Sequence, residues 1–281
     1  MPHPARQPAT FPYPGHNDAD ARMSVIRVFC RPLARYNRAM SLLPLLTWLA
    51  FPVYVWQGLI VRRRVQRMLP AQGPVIHRIA GEGEPINLLV LGDSSAASVG
   101  VESSERGLAA RLAHRAHEAT GRPVVWRAAG FNSATAGRLR DHVVPNMDPG
   151  HWTHLVLTVG SNDAKNFHTG ARFNREFGTL LYALRAKWPE ARVVWSPVVE
   201  MSLMPALPPA LGRILEIRAG LINYWGHRLC LERGAVPATR LPIDDPIAGF
   251  SVDGFHASEA GYDRWAEHLL PLLLDTDIVE A

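Results

Sequence analysis

The stretch INLLVLGDSS, residues 86–95, decides the fold of this chain. It begins with a short, mostly apolar run, which is typical of a β-strand buried on both faces. The run stops at Gly92, and the next three residues are polar. A buried strand that ends in a polar turn is the pattern of a parallel sheet, in which functional side chains collect at the carboxyl ends of the strands.

The same alternation continues along the chain. It predicts further strands over 123–128, 154–159, 192–198 and 235–239, and helices over 105–120, 171–188, 209–232 and 258–274. Ser258 is the predicted N-cap of the last helix. Strands that alternate with helices of a dozen or more residues predict parallel pairing with right-handed crossovers. We therefore expect an α/β fold, a three-layer α/β/α sandwich around a parallel sheet of about five strands.

The charges are unevenly distributed along the 281 residues, whose net charge is +5. Residues 1–70 contain ten arginines and two aspartates, so the rest of the chain carries a small net negative charge. Because that part has no basic excess to follow a phosphate backbone, we expect no nucleic acid partner. The two cysteines, Cys30 and Cys230, have no metal-binding or disulfide spacing, and Cys230 fits a position in the core.

An uncharged segment of 21 residues, 41–61, lies between two groups of arginines. As one helix it would extend about 31 Å, close to the thickness of a membrane's hydrocarbon core. Two interpretations stay open. The segment spans a membrane, or Pro44 and Pro52 break it into short apolar pieces that pack on the globular domain or lie in the membrane surface. A cleaved signal peptide fits poorly, because an arginine cluster follows in place of a small-residue cleavage site.

These patterns divide the chain into four regions: a basic, disordered region (1–40), the apolar segment with its arginine cluster as a candidate membrane anchor (41–69), a linker rich in glycine and proline (70–85), and the α/β domain (86–281). We expect a membrane-associated or cytoplasmic protein. The arginine counts on the two sides of the apolar segment are nearly balanced, so its orientation is open. A translation start at Met40 would favour a cytoplasmic domain.

Polar clusters follow three of the predicted strands, at residues 92–95, 130–133 and 160–163. Acyl transfer needs a nucleophile, a base, a group that orients the base, and donors aimed at the developing oxyanion. Ser94 is the candidate nucleophile, and its own N–H can face the oxyanion. Asp253 precedes His256 by three residues, so His256 can be the base while Asp253 sets its tautomer. The Gly130 N–H and the Asn162 amide are further candidate donors.

The blocks GDSS, GFNSAT, GSND and DGFHASEAGY resemble those of the SGNH hydrolases, also called GDSL esterases and lipases. Their order over residues 86–274 agrees with that family. The resemblance implies a flavodoxin-like sheet, with Ser94, Asp253 and His256 as the catalytic residues. It also implies an oxyanion hole made by the Ser94 N–H, the Gly130 N–H and the Asn162 side chain.

This chain departs from the family pattern at two places. Ser95 stands where the first block more usually has leucine, and Asn132 and Ser133 stand where the second block has serine and glycine. Neither departure removes a catalytic group, but both change the rim of the pocket. The substrate is therefore less determined than the mechanism.

Further residues are assigned supporting parts. Asp93 and Asp163 are expected to bind loop backbone N–H groups rather than take part in the chemistry. The segment 196–211 resembles a loop rich in methionine and proline in bacterial members of the family. Four of its residues either line an acyl pocket or cap the core: Met201, Leu203, Met204 and Leu207.

The predicted function is that of a serine ester hydrolase acting through an acyl-enzyme on a small-molecule ester, either a lipid or a small acyl ester, without cofactor or metal. Two alternatives remain: a carbohydrate acetylesterase or acyltransferase using the same site, and an inactive membrane-tethered scaffold. A nucleotide-binding domain is disfavoured, because no glycine-rich phosphate motif opens the segment after the first strand. The oligomeric state is not predicted.

Overall fold

The computed structural model describes residues 43–275. The predictions for residues 1–40, together with Cys30, Met40 and the first group of arginines, lie outside the described residues. The chain divides into two compact units, Met1–Leu45 and Leu46–Ala281. Apart from the first residues of the first helix, every described element belongs to the second unit.

A six-stranded sheet forms the centre of this unit. Its strands are β1 (Ile76–Ile79), β2 (Ile86–Gly92), β3 (Val124–Gly130), β4 (His154–Thr158), β5 (Arg192–Trp195) and β6 (Val236–Pro237). They lie in the order β1-β3-β2-β4-β5-β6, and all neighbours are parallel except β1 and β3. Without β1, the order is that of a flavodoxin-like sheet, which confirms the predicted α/β fold.

The sheet differs from the prediction at one edge. The sequence predicts about five parallel strands and a linker over 70–85, whereas β1 lies within that linker and pairs antiparallel with β3. Its four residues, IHRI, are mostly exposed. A short, exposed edge strand among glycines and prolines has no hydrophobic pattern of its own, and its pairing with distant residues creates it.

Nine helices cover the two faces of the sheet in the described part of the chain. They are α1 (Leu43–Leu49), α2 (Phe51–Arg64), α3 (Leu108–Thr120), α4 (Ala136–Arg138), α5 (Ser161–Lys165), α6 (Gly170–Lys187), α7 (Pro209–Glu232), α8 (Pro246–Gly249) and α9 (Glu259–Leu274). Short 3₁₀ turns and one π-helical turn over Leu139–Val143 complete the chain path. The helices α3 and α9 pack together on one face, and α6 and α7 on the other, as a three-layer sandwich requires.

The strand β2 shows why the sheet is buried on both faces. Leu88 and Val90 point into the core under α3 and α9, whereas Leu89 and Leu91 point into the core under α6 and α7. All four side chains are fully buried. Burial of each leucine or valine contributes about 1.5–3 kcal/mol, so the strand joins the two cores into one folding unit.

Two glycines let three strands converge at the carboxyl edge of the sheet. Gly92 and Gly130 are opposite each other at the ends of β2 and β3. A Cβ atom on Gly92 would collide with Thr158 of β4, and one on Gly130 would collide with the carbonyl oxygen of Gly92. At this edge of the sheet the strands therefore approach one another so closely that only glycine fits at positions 92 and 130.

The apolar N-terminal segment forms the two helices α1 and α2. Pro44 and Pro52 both lie in the first turns of these helices, where a missing backbone N–H costs nothing. Within the described residues, neither helix is long and apolar enough to span a membrane by itself. The two together reach the required length and composition, but they are bent by 71°.

Candidate active site

The predicted functional blocks meet at the carboxyl ends of β2, β3 and β4. Ser94 follows β2, Gly130 ends β3, and Asn162 lies in α5 directly after β4. In a flavodoxin-like order, β2 and β4 flank the point where the winding of the sheet reverses, and a crevice opens there. The order of the strands thus brings together residues that are far apart in the sequence.

Ser94 lies in a series of turns after β2, and the next α-helix begins only at Leu108. The turn is fixed by backbone hydrogen bonds, in which Asp93 N donates to Thr158 O at 3.2 Å and Val99 N donates to Ser94 O at 2.9 Å. The Ser94 side chain is half-buried and lines a cleft. This geometry presents one hydroxyl at the sheet edge on a rigid backbone.

Asp93 organises the base of this turn. Its Oδ1 atom accepts hydrogen bonds from the Ser95 N–H at 3.1 Å and the Ser95 hydroxyl at 3.0 Å, and its Oδ2 atom accepts one from the Asn162 amide at 3.0 Å. Burial raises the pKa of the Asp93 carboxyl, while these hydrogen bonds and the charge of Lys165 oppose the rise. Asp93 therefore holds the Ser94 turn and the Asn162 side chain together.

The pair Asp253 and His256 lies in a tight turn before α9. The Asp253 carboxylate accepts hydrogen bonds from the backbone N–H groups of Phe255 and His256, both at 2.9 Å, and from the Ser251 hydroxyl at 2.8 Å. Its other oxygen lies 2.5 Å from His256 Nδ1. Burial alone would raise the pKa of Asp253, but the hydrogen bonds, from the His256 ring first, hold it below its usual range.

This geometry sets the tautomer of His256. Because the Asp253 carboxylate is ionised, Nδ1 carries the proton and donates it to the carboxylate, so the lone pair of the neutral ring lies on Nε2. No hydrogen-bond partner of Nε2 occurs among residues 43–275. The ring lines the same cleft as Ser94, so a free base and a hydroxyl face one space.

The two other predicted oxyanion donors lie deeper than Ser94. Gly130 and Asn162 do not line the cleft in its present shape, and Asn162 is buried. The Asn162 amide nitrogen donates to Asp93 at 3.0 Å and to the carbonyl oxygen of Ala134 at 2.9 Å. Both amide hydrogens thus have protein acceptors in this structure.

Asp163 joins the second and third blocks from behind the site. Its carboxylate accepts a hydrogen bond from the Ala136 N–H at 3.2 Å and lies 3.0 Å from His168 Nδ1. The backbone contact agrees with the predicted supporting part. His168 and Glu176 complete a buried cluster whose ligand atoms lie within 4.8 Å of one another. Glu176 also forms an ion pair with Arg172. The cluster thus links Asp163 of α5 to Glu176 of α6 through His168.

The cleft beside Ser94 and His256 encloses about 950 Å³ of empty space, part of it open to solvent, and most of its wall is apolar. The apolar lining residues include Val159, Pro197, Val198, Val199, Met204, Leu241, Pro242, Ile243, Phe250, Phe255, Ala257 and Trp265. Of the four predicted pocket residues, Met204 lines this cleft. Met201 is fully buried in the core, and Leu203 and Leu207 are outside the lining.

Lys165, which belongs to none of the predicted site residues, also lines the cleft. This residue ends α5, three positions after Asn162, so one helical turn brings it to the same side of the site. A signal exists in the composition, because only two of the 30 basic residues are lysines. That Lys165 lines the cleft can be seen only in the folded structure.

The sequence pattern of the GDSL-like Lipase/Acylhydrolase family matches residues 90–264, which contain all four blocks. The chain belongs to this family. No curated protein matches the sequence of this GDSL hydrolase at a significant level.

Solved structures resemble the GDSL hydrolase in fold. One, titled TesA, is 20% identical with a TM-score of 0.54, covering 66% of this chain and 97% of its own. A structure titled as a GDSL-like lipase from Parabacteroides merdae is 16% identical with a TM-score of 0.53, covering 66% and 94%. A variant of an acetyl xylan esterase from Geobacillus stearothermophilus is 16% identical with a TM-score of 0.51, covering 72% and 99%. These similarities support the α/β fold.

Proposed function

We propose that this GDSL hydrolase cleaves carboxylic esters through an acyl-enzyme formed on Ser94. The observation that carries the proposal is the Asp253–His256 pair, in which His256 lines the same cleft as Ser94. A hydroxyl, an oriented imidazole and a buried carboxylate are the components of serine hydrolase chemistry, in whatever order the chain supplies them.

The reaction has two balanced steps. Ser94 Oγ bonds to the ester carbonyl carbon while His256 Nε2 takes the hydroxyl proton and then gives it to the departing alcohol. A water molecule, deprotonated by His256, next attacks the acyl-enzyme, and the proton returns to Ser94 as the carboxylic acid leaves. In both steps Asp253 stabilises the imidazolium and keeps its orientation.

The oxyanion hole would consist of the N–H groups of Ser94 and Gly130 and the Asn162 amide. For Asn162 to contribute, one of its two present hydrogen bonds must be shared or given up when the substrate carbonyl arrives. The Ala134 carbonyl is the weaker of the two acceptors, because a neutral carbonyl oxygen accepts a weaker hydrogen bond than the carboxylate of Asp93 does. We therefore assign the exchange to the bond with Ala134.

The wall of the cleft favours an ester with an apolar part, either a lipid or a small acyl ester. A carbohydrate acetylesterase needs polar groups that bind sugar hydroxyls, and the lining of this cleft is mostly apolar. The preference is measured with p-nitrophenyl esters of increasing chain length, from acetate upward. Transfer to an added alcohol in the same assay would reveal acyltransferase activity.

The decisive control is Ser94→Ala, which should lower turnover by as much as about 10⁶-fold. A fluorophosphonate probe should label the wild-type protein and leave Ser94→Ala unlabelled. Folded wild-type protein that neither hydrolyses any ester of the series nor takes up the probe would refute the proposed activity. That result would favour the inactive, membrane-tethered scaffold.

We also propose that α1 and α2 place the enzyme on a membrane surface. Large apolar side chains on these helices are exposed, among them Leu49 at 79% and Trp56 at 63%. Tyr54 and Gln57 turn the other way and bind the hydrolase domain, through Lys165 O at 2.6 Å and Leu211 N at 3.0 Å. Three arginines end α2, where they can meet anionic lipid headgroups.

A further inference from the structure

The Lys165 ammonium group lies inside the cleft that also contains Ser94 and His256. Its Nζ atom lies 4.6 Å from the centroid of the Phe255 ring, and Phe255 precedes His256 in the chain. We propose that Lys165 binds an anionic group of the substrate, so that the preferred ester carries a phosphate or carboxylate close to the scissile bond. This inference rests on the proposed function and adds the substrate class.

The ammonium group of Lys165 has no directly bound counter-ion in the described part of the chain. Among the described residues, 43–275, no carboxylate lies within ion-pair distance of Lys165, and no hydrogen bond of Nζ occurs. Asp93 is the acidic group with which it interacts electrostatically, but the Asp93 carboxylate already accepts three hydrogen bonds from Ser95 and Asn162. The donors of Lys165 are therefore available to a ligand.

The surroundings make an unpaired ammonium costly. Burial lowers the pKa of Lys165, and the charge of Asp93 offsets this only in part. The Phe255 ring supplies a weak electrostatic attraction from one side. A buried cation without a directly bound counter-ion is costly, so Lys165 in a cleft with mostly apolar walls points to an anion that arrives with the substrate.

The choice of lysine is also informative. Arginine supplies 28 of the 30 basic residues, and several arginines of the domain are paired with carboxylates, such as Arg115 with Asp263 and Arg240 with Glu216. Arg264 at the rim of the cleft is paired with Asp244 in the same way. Lysine offers a compact point charge that can meet a single oxygen of an anion.

The test compares esters that differ by one anionic group. One pair is p-nitrophenyl hemiglutarate with p-nitrophenyl pentanoate, and the other is a lysophosphatidic acid with the monoacylglycerol of the same chain. We expect the wild type to prefer the anionic member. In Lys165→Met the ratio of kcat/KM for anionic over neutral ester should fall by about tenfold or more, mainly through KM. Lys165→Arg should restore most of the ratio.

The matched control is Lys187→Met, because Lys187 is the other lysine of the chain and also lies over an aromatic ring, 5.3 Å from the centroid of Trp188. It lies outside the cleft lining, and its substitution should leave the ratio unchanged. A loss confined to the phosphate pair or to the carboxylate pair identifies which anion is recognised. An equal fall for both members of both pairs in Lys165→Met would overturn the proposal.

A binding measurement separates this proposal from the proposed activity. In the Ser94→Ala background, which cannot turn over, calorimetry compares lysophosphatidic acid with the neutral monoacylglycerol. The anionic lipid should bind more tightly, and addition of Lys165→Met should remove about a tenfold advantage. Loss of that advantage without any wild-type hydrolysis would refute the esterase and keep the anion site. Wild-type hydrolysis together with equal lipid binding in the presence and absence of Lys165 would keep the esterase and refute the anion site.

Discussion

The side-chain amide of Asn162 donates a hydrogen bond to the carboxylate of Asp93 at 3.0 Å, and this bond joins the third block of the site to the first. Asp93 is buried, and its carboxylate also holds the backbone and hydroxyl of Ser95, directly after the proposed nucleophile. The position of the amide is thus set by the same residue that shapes the Ser94 turn. Two separate stretches of chain behave as one rigid site.

Asn162→Ala should lower kcat by about 10²–10³ with little change in KM, because the amide stabilises charge that appears only in the transition state. The measurement is steady-state hydrolysis of a short p-nitrophenyl ester. Asn166→Ala is the matched control, since Asn166 is an exposed asparagine one turn further along. A kcat for Asn162→Ala close to that of wild type would exclude Asn162 from the oxyanion hole.

Asp253→Asn should lower kcat by about 10⁴, because an amide at this position favours the wrong imidazole tautomer. The same variant tests the depressed pKa of Asp253 through stability. Hydrogen bonds that lower a carboxyl pKa stabilise the folded state above the unfolded pKa of about 4, and this contribution is lost as the pH falls toward the folded pKa.

Urea unfolding at several pH values measures this contribution. The free energy of unfolding of the wild type should fall on acidification below about pH 4, and part of that fall should be missing in Asp253→Asn. Identical pH profiles for the two proteins would show that the Asp253 pKa is not lowered by folding. The loss of kcat and the pH dependence of unfolding are independent measurements of the Asp253–His256 pair.

Gly92→Ala should destabilise the domain by about 1–3 kcal/mol or more, because the new Cβ atom would overlap Thr158 of the neighbouring strand. Gly58→Ala is the control. Gly58 lies inside α2 with no atom within 4 Å of an added Cβ, so alanine there should stabilise the helix by about 0.5–1 kcal/mol. Urea unfolding measures the free energy of unfolding of both variants. Equal values for Gly92→Ala and Gly58→Ala would contradict the close approach of β2 and β4.

Trp56→Ser should weaken binding to anionic vesicles several-fold, because the proposed membrane surface loses an indole that is 63% exposed. The measurement is co-sedimentation with vesicles that contain phosphatidylserine. Tyr182→Ser removes another exposed aromatic ring, on α6, and should leave binding unchanged. Vesicle binding that is equal in wild type and Trp56→Ser would remove α2 from the contact.

Local pattern predicted the regular elements well where a long amphipathic or apolar run defined them. The helix over 209–232 has the predicted bounds, and Ser258 caps the last helix by accepting a hydrogen bond from the Gly261 N–H. The strand Ile76–Ile79 was missed, because a short exposed edge strand owes its form to a distant partner. The strand predicted over 235–239 is only Val236–Pro237 in the structure, where it lies at the edge of the sheet and pairs with one strand, β5.

The sequence by itself determined the family, the α/β order of elements and the four blocks with their chemical residues, because periodicity and short motifs are local properties of a chain. The pairing of Asp253 with His256 was also readable, since three residues separate them. Only the tertiary structure decided that Asp93 holds Asn162, that Met204 alone of its predicted group reaches the cleft, and that Lys165 lies there. These facts depend on contacts between residues far apart in sequence, and the crossing of strands at one sheet edge creates them.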